Sequence, residues 1–384
     1  MEKTFNIFSP SNDPIAQKIQ NHPPLEPINM LAADKWVLAS AFQKAIRRGE
    51  LEIAQSAGLS LLLEDKQMLY RRLHVLAVED VGVGDIDLAI CILAATGDAK
   101  TRQLLGGDQV VLSYLIERLC GAVLDRSADH MLSIAQDHPH LEDARWDFGR
   151  APIKELFDQI KSTQLSLPER AVAAWYAAGT RQFRSDGLWS RQGDLEGLFG
   201  TYQDMGVDNT LLDACRLAIR KMRNPLPVFL PLIWSGFSQS TVDKVEEIDI
   251  PGTRHVDGVP AYALGGHTRL GKRALREFLR QCEPVRKCLE RCPSDTGWQD
   301  TSDVAVFHVE SALVKRQRLW DGFEDLKTLG IEGDVCRNGL KPEAVADLLA
   351  IVRENMPLLD NIRVEILEAL QPEATSQPEL PLEK

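Results

Sequence analysis

The sequence predicts a mainly α-helical protein: a multi-helix array with an extended N-terminal arm and a disordered C-terminal tail. Three observations predict it. Apolar residues recur at helical spacing from residue 35 to about 237 and again from 269 to 370. Alternating, strand-like runs are scarce, and aperiodic stretches bearing proline fall at both ends and between the two helical blocks. A chain of 384 residues that is 44% hydrophobic and 26% charged also has room for two packed domains.

The elements follow in order. Residues 1–33 hold Pro10, Pro14, Pro23, Pro24 and Pro27 with few periodic apolar positions, and are expected to be an extended arm. The helical domain spans 34–238. Asp34 is a natural N-cap for a helix whose stripe is Trp36, Val37, Ala41, Phe42, Ala45 and Ile46. Gly49 ends it, after the basic pair Arg47 and Arg48. A second helix is expected over about Leu51–Leu63 and a third over about Asp65–Asp80, stopped by Gly82 and Gly84. Further helices are expected near Asp87–Ala95, Gln109–Leu124, Ser127–Ala135, Ala151–Lys161, Leu167–Gly179 and Asn209–Met222. Three prolines over Asn224–Pro231 interrupt the array. Residues 239–268 are polar and Gly/Pro-bearing, a linker in the form of a long loop or short hairpin. A C-terminal helical subdomain, 269–370, is expected to contain Leu270–Arg280, Pro284–Arg291, Asp303–Leu326, Pro342–Leu349 and Pro357–Leu370. The tail, 371–384, has no periodicity.

Glu79 and Asp80 stand out, because carboxylates in the last turn of a helix oppose its dipole, by ~0.3–1 kcal/mol each when exposed. They require cations, and Arg47, Arg48, Arg71 and Arg72 are the candidates. Arg72 is two turns away on the same face, so Arg47 or Arg48 is expected to reach across from the first helix. The same arginines would also suit a nucleic-acid contact.

Gly266-His-Thr-Arg-Leu-Gly-Lys-Arg273 nearly fits the phosphate-loop pattern G-x-x-x-x-G-K-[S/T]. Arg273 replaces the hydroxyl that would hold Mg²⁺, and no parallel sheet is expected around it. The segment is therefore read either as an anion site at a helix N-terminus or as a solvated helix face. His267, Arg269, Lys272, Arg273, Arg276 and Arg280 are its residues. Nine Lys/Arg against four Asp/Glu lie between Arg254 and Arg291, in a chain whose net charge is −12. That net charge weighs against a binder driven by overall charge, and leaves a local patch as the route to nucleic acid.

Cys282, Cys288, Cys292 and His308 lack zinc-knuckle spacing, so no metal site is expected. No G-x-S-x-G or histidine-based nucleophile motif occurs, and no catalytic residue or cofactor is assigned. The seven tryptophans are spread as core anchors. Seven irregularly spaced cysteines, with neither a signal segment nor a long apolar run, imply a reduced, cytoplasmic protein without a membrane partner.

Two segments carry a family resemblance. Ser40, Ala41, Lys44, Ile46 and Arg47 match a pattern S-A-hydrophobic-x-K-S-I-R-G. Arg71, Arg72, Leu73, Ala77, Glu79, Asp80, Gly82 and Asp85 match R-R-L-x-x-x-A-x-E-D-h-G-x-A-D. Over about residues 35–95 the chain thus resembles the post-ATPase helical collar of replication-associated recombination proteins (RarA/MgsA, relatives of the Werner-helicase-interacting protein). The resemblance implies a clamp-loader-like collar, a site of homo-oligomerisation, and work near replication forks on DNA. Only 34 residues precede Lys35, so the family's AAA+ module is not expected and ATP-driven remodelling does not carry over.

The tail reads Gln377-Pro-Glu-Leu-Pro-Leu382, similar to the peptide by which many bacterial repair proteins dock on the sliding clamp. Gln377, Leu380, Pro381 and Leu382 match, and Pro378 departs from the usual leucine. The expectation is a non-enzymatic replication, repair or recombination accessory. It would contact DNA through the basic patch and the sliding clamp through its tail. The alternatives are an enzyme or sensor that binds a nucleotide or phosphate at 266–273, and a scaffold that binds only protein.

Overall fold

The computed structural model describes residues 13–26 and 30–370. Nineteen α-helices are found among them, with two short two-stranded sheets. Asp34 caps helix Lys35–Arg48 by accepting from the amides of Trp36 and Val37, and Gly49 closes it at φ 67°. The chain turns directly into helix Leu51–Glu64, which packs back along the first helix. Gly58 makes this close, since a β-carbon there would meet the Phe42 ring at 3.0 Å.

The middle of the chain is a layered helical array. Helices Leu167–Ala178, Asn209–Met222 and Ser127–Asp137 all pack on Leu226–Phe237, the most apolar of these four. Helix Phe323–Cys336 lies against Ser127–Asp137, and its glycines set the approach. A β-carbon on Gly330 would sit 2.7 Å from that of His130, and one on Gly333 would sit 2.9 Å from the Ser133 carbonyl oxygen. Helix Val345–Glu368 is the spine of the C-terminal part and contacts Arg269–Gln281, Glu283–Leu289 and Trp298–Val306.

Several expected elements differ. The arm contains a helix, Pro14–Gln20, capped by Asp13 with proline in its first turn, and its Ala16 and Ile19 are fully buried. The Asn224–Pro231 interruption is the start of helix Leu226–Phe237: Pro227 occupies a first-turn position, where no intrahelical amide is needed, and Pro231 lies inside. Pro357 likewise lies inside the single helix Val345–Glu368 instead of separating two.

The largest difference is at 303–326. The helix there runs Trp298–Val306, widens into a π turn at Phe307–Ser311, and gives way to strand Arg316–Trp320. That strand pairs antiparallel with Asp243–Glu247 from the linker. Its basic side chains face acids across the pair, Arg318 to Asp243 at 2.7 Å and Arg316 to Glu247 at 3.5 Å. The backbone ladder holds the pair and its facing side chains are charged instead of alternating apolar and polar, so the apolar pattern does not reveal it. The linker also forms the expected hairpin, His255–Val256 with Val259–Pro260, turned by Asp257 and Gly258 at positive φ.

Trp175 and Trp320 are buried anchors, whereas Trp36, Trp146 and Trp189 are about half exposed. No described helix is long and apolar enough to cross a membrane.

Candidate functional site

The third helix of the N-terminal segment does not run regularly to Asp80. It is α-helical over Lys66–Val75 and then opens into a π turn, Leu76–Val81. A π turn rotates successive residues by less than the ~100° of an α-helix, so adjacent side chains can serve one side together. Glu79 and Asp80 both face Arg47 in this way. Arg47 Nε lies 2.7 Å from Asp80 Oδ1, and its Nη2 lies 2.7 Å from Glu79 Oε1. Gln43 adds a bond to Asp80 at 3.2 Å. Gly82 and Gly84 then let the chain pass against Val123–Asp125, where a Gly84 β-carbon would lie 2.5 Å from the Val123 carbonyl oxygen.

Of the four candidate arginines, Arg47 makes the pair. Arg48 turns away to Glu50 at 2.8 Å and to the Pro251 carbonyl, and stacks over the Tyr262 ring. Arg71 is exposed and reaches the Gln67 carbonyl at 3.4 Å. Arg72 is half-buried and makes neither a salt bridge nor a hydrogen bond among the described residues. A fifth arginine, absent from the sequence reading, completes the cluster. Arg126 is buried and forms ion pairs with Asp80 and Asp129, and with Glu79 at 3.3 Å. Burial raises the Asp80 carboxyl, but Arg47 and Arg126 outweigh it, so the group stays below its usual range. Burial, with Asp80 and Asp129 alongside, pushes Glu79 upward.

The same device occurs again in the C-terminal part. The π turn Phe307–Ser311 carries Glu310, which Arg363 grips with two bonds, at 2.6 and 2.9 Å. Arg363 is fully buried and also donates to the Leu264 carbonyl at 3.1 Å. Arg47 joins the two devices, since its Nη1 donates to the Ser311 carbonyl at 2.8 Å. Both Arg47 and Arg126 lie over the Phe307 ring, 5.9 and 5.5 Å from its centre.

Between these turns lies a cleft of about 500 Å³. One wall is Trp36, Ser40, Lys44, Arg47, Arg72 and Glu79; the other is Gly265, His267, Lys272, Asp300, Asp303 and Phe307. The two segments singled out in the sequence, 36–85 and 266–273, therefore meet at one site. Lys44 is buried and donates to the Tyr262 carbonyl at 2.5 Å. Burial pushes its ammonium down to about 7, with Arg363, Arg47 and Arg48 acting the same way against Glu310. His267 is at the rim. Desolvation by the walls, and then the cations Arg72, Lys44, Lys272 and Arg47, hold its imidazole below the usual value. Burial pushes Asp303 up to about 6, although Gln299 bonds it at 2.5 Å.

The Gly266–Arg273 segment is not a wrapped phosphate loop. Thr268 caps helix Arg269–Gln281 by accepting from the Gly271 amide at 2.8 Å, and a side chain on Gly271 would overlap the Gly265 carbonyl oxygen. The helix is strongly amphipathic: Ala274, Leu275 and Phe278 are buried, while Arg269, Lys272, Arg273, Arg276 and Arg280 are exposed. Lys272 lines the cleft, and Arg280 is neutralised by Glu277 at 2.9 Å. Arg269, Arg273 and Arg276 have no hydrogen bond or salt bridge among the described residues.

Cys282 and Cys288 are buried free thiols, His308 bonds Asp334 at 3.0 Å, and no metal-binding group of side chains is found among the described residues. Gln377, Leu380, Pro381 and Leu382 lie outside the described residues. The signal that could have revealed Arg363 is an arginine flanked directly by Ile362 and Val364 on a helix; Arg126 has no comparable mark. Neither a protein-family model, a curated protein nor a solved structure matches the chain.

Proposed function

We propose that this protein is a non-enzymatic accessory of DNA replication, repair or recombination, a collar-like helical scaffold that acts in the cytoplasm and binds nucleic acid. One observation carries the reading. Three arginines on helix Arg269–Gln281, Arg269, Arg273 and Arg276, stand exposed and without a hydrogen bond or salt bridge among the described residues, in a chain whose net charge is −12. Cationic side chains on one helix face that make no salt bridge are suited to phosphate oxygens, which supply most non-specific affinity for nucleic acid. Arg47 is spent on structure, so the collar-like segment supports this face instead of making the contact.

The test is a titration of fluorescent single-stranded, duplex and forked DNA at two salt concentrations. Wild type is compared with an Arg269→Gln/Arg273→Gln/Arg276→Gln variant. Binding should weaken with salt, and the variant's log–log slope should be shallower by about 2–3, as three lost phosphate contacts require. Salt-independent binding, or an unchanged slope in the variant, rejects the reading. The tail's docking on a sliding clamp is a separate proposal, supported by Gln377, Leu380, Pro381 and Leu382. A pull-down should lose the clamp on Leu380→Ala/Leu382→Ala, and unchanged capture would reject it. A second reading, a small phosphate-bearing ligand, is favoured by Arg72 and Lys272, which line the cleft without a salt bridge among the described residues.

A further inference from the structure

We propose that the cleft between helices Lys35–Arg48 and Arg269–Gln281 is a phosphomonoester site. It would take a mononucleotide or the terminal phosphate of a nucleic-acid strand, held by Arg72, Lys272, His267 and Lys44. The proposal rests on the nucleic-acid reading for its strand-end form only. Its basis is an account of which cleft charges are already spoken for.

The carboxylates are largely engaged. Glu79 is bound by Arg47 and Arg126, Asp129 by Arg126, and Asp334 by His308, while Asp303 is bonded only by the neutral Gln299. Three of the cations are engaged as well, Arg47 with Glu79 and Asp80, Arg363 with Glu310, and Arg337 with Asp137 at 2.9 Å. What remains is lopsided. Arg72, Lys272 and His267 have no hydrogen bond or salt bridge among the described residues, Lys44 spends one donor on a neutral carbonyl, and Asp300 and Asp303 are the acids left without a cation at salt-bridge distance. The ring of His267 points the same way, since after desolvation the largest influences on it are the cations Arg72, Lys44, Lys272 and Arg47. Glu79 and Asp80 act on Arg72, Glu310 on Lys44 and Asp303 on Lys272 without a salt bridge to any of them, so these cations are incompletely satisfied and a dianion in direct contact can add to their neutralisation. A phosphomonoester carries close to two negative charges at neutral pH and three acceptor oxygens, which matches several donors better than a carboxylate does.

Size and chemistry agree with a nucleotide. A volume of about 500 Å³ falls within the range of small-ligand pockets. Trp36, 49% exposed on the cleft wall, offers an aromatic face on which a base can stack. Asp300 and Asp303 provide acceptors for amino or hydroxyl hydrogens of the same ligand. Lys272 lies on the helix that carries the outer arginines, so a strand tracked along that face leads to the cleft.

The test uses the full chain and calorimetry with AMP, adenosine and inorganic phosphate, then two single strands of one sequence, 5′-phosphorylated and 5′-hydroxyl. Either AMP binds about tenfold or more tighter than adenosine, or the phosphorylated strand binds by that margin over the hydroxyl strand. The first result marks the free nucleotide as the ligand and the second the strand end. Arg72→Gln/Lys272→Gln should abolish the preference, Arg72→Lys should retain part of it, and the outer-face triple variant should keep it. Lack of any phosphate-dependent preference in wild type overturns the proposal. So does a preference that survives in Arg72→Gln/Lys272→Gln with an unchanged melting curve. AMP binding with no salt-dependent DNA binding would reject the accessory role while leaving the cleft standing. Salt-dependent DNA binding without phosphate preference would do the reverse.

Discussion

Replacing Arg126 with methionine tests whether the buried charge cluster is structural. The change removes the ion pairs to Asp80, Asp129 and Glu79. Asp80, fully buried, is left with Arg47 and Gln43; Asp129 loses its partner. Removing one side of a buried pair costs ~3–5 kcal/mol. Two effects reduce that. Arg126 Nε has no partner among the described residues, and an unsatisfied buried donor itself costs ~1–3 kcal/mol, which the variant relieves. Methionine can also fill the space beside Phe307. The net loss is therefore about 2–4 kcal/mol. Guanidinium unfolding at pH 8, followed by tryptophan fluorescence, measures it. Arg126→Met/Asp80→Asn should cost less than the sum of its two single variants, by about 0.5–3 kcal/mol, because the second change removes the stranded charge. The pH arm has a definite sign. A carboxyl held low in the folded state adds stability above its unfolded value of ~3.9 and loses it as pH falls through the folded value. In Arg126→Met that acid loss should begin at higher pH. A cost under ~1 kcal/mol, or strict additivity in the double variant, refutes the reasoning.

Other outcomes follow from the same structure. Lys44 is pushed down to about 7, so the unfolded chain binds more protons from there to ~10.4 and stability should rise with pH across that window. Lys44→Met should abolish its part of the rise and gain most near pH 7; equal slopes in urea midpoints at pH 7 and 9 would count against it. Gly271→Ala forces a β-carbon onto the Gly265 carbonyl and should cost ~1–3 kcal/mol by denaturant unfolding, while weakening AMP binding through the displaced cleft wall. An alanine variant as stable as wild type would show that this turn can relax.

Legibility followed the strength of local signals. Helix Lys35–Arg48 was readable to the residue, because Asp34 and Gly49 are physical stops that its neighbours cannot override. The need for a cation beside Glu79 and Asp80 was readable from dipole electrostatics alone, and Arg47 supplies it. The π turns were not readable. Leu76–Val81 and Phe307–Ser311 have the apolar content of ordinary helix, and the extra residue per turn is selected by partners far along the chain. Arg126 stands 46 residues from Asp80, so no local spacing relates them. Strand Arg316–Trp320 was hidden for a related reason, since its partner lies in the polar linker and the pairing is charged. Proline misled twice in helix interiors, at Pro231 and Pro357, where burial of the surrounding apolar face outweighs one missing backbone bond. The meeting of segments 36–85 and 266–273 was likewise invisible to spacing, because Lys44 and the Tyr262 carbonyl are brought together only by the tertiary fold.

The paired π turns explain why the cleft has a fixed shape. Each turn puts a carboxylate where the helix dipole disfavours it, and each carboxylate is gripped by a buried arginine from a distant helix. Arg47 grips the first carboxylate pair and donates to the second turn, while Arg363 grips Glu310 and donates to Leu264, just before Gly265–His267. Both cleft walls are thus tied to the same two guanidiniums, whose planar forks hold direction better than a lysine could. Loss of either arginine should loosen the opposing wall as well as its own. A ligand site with donors drawn from both walls therefore depends on Arg47 and Arg363 for geometry, even though neither is left free to bind the ligand.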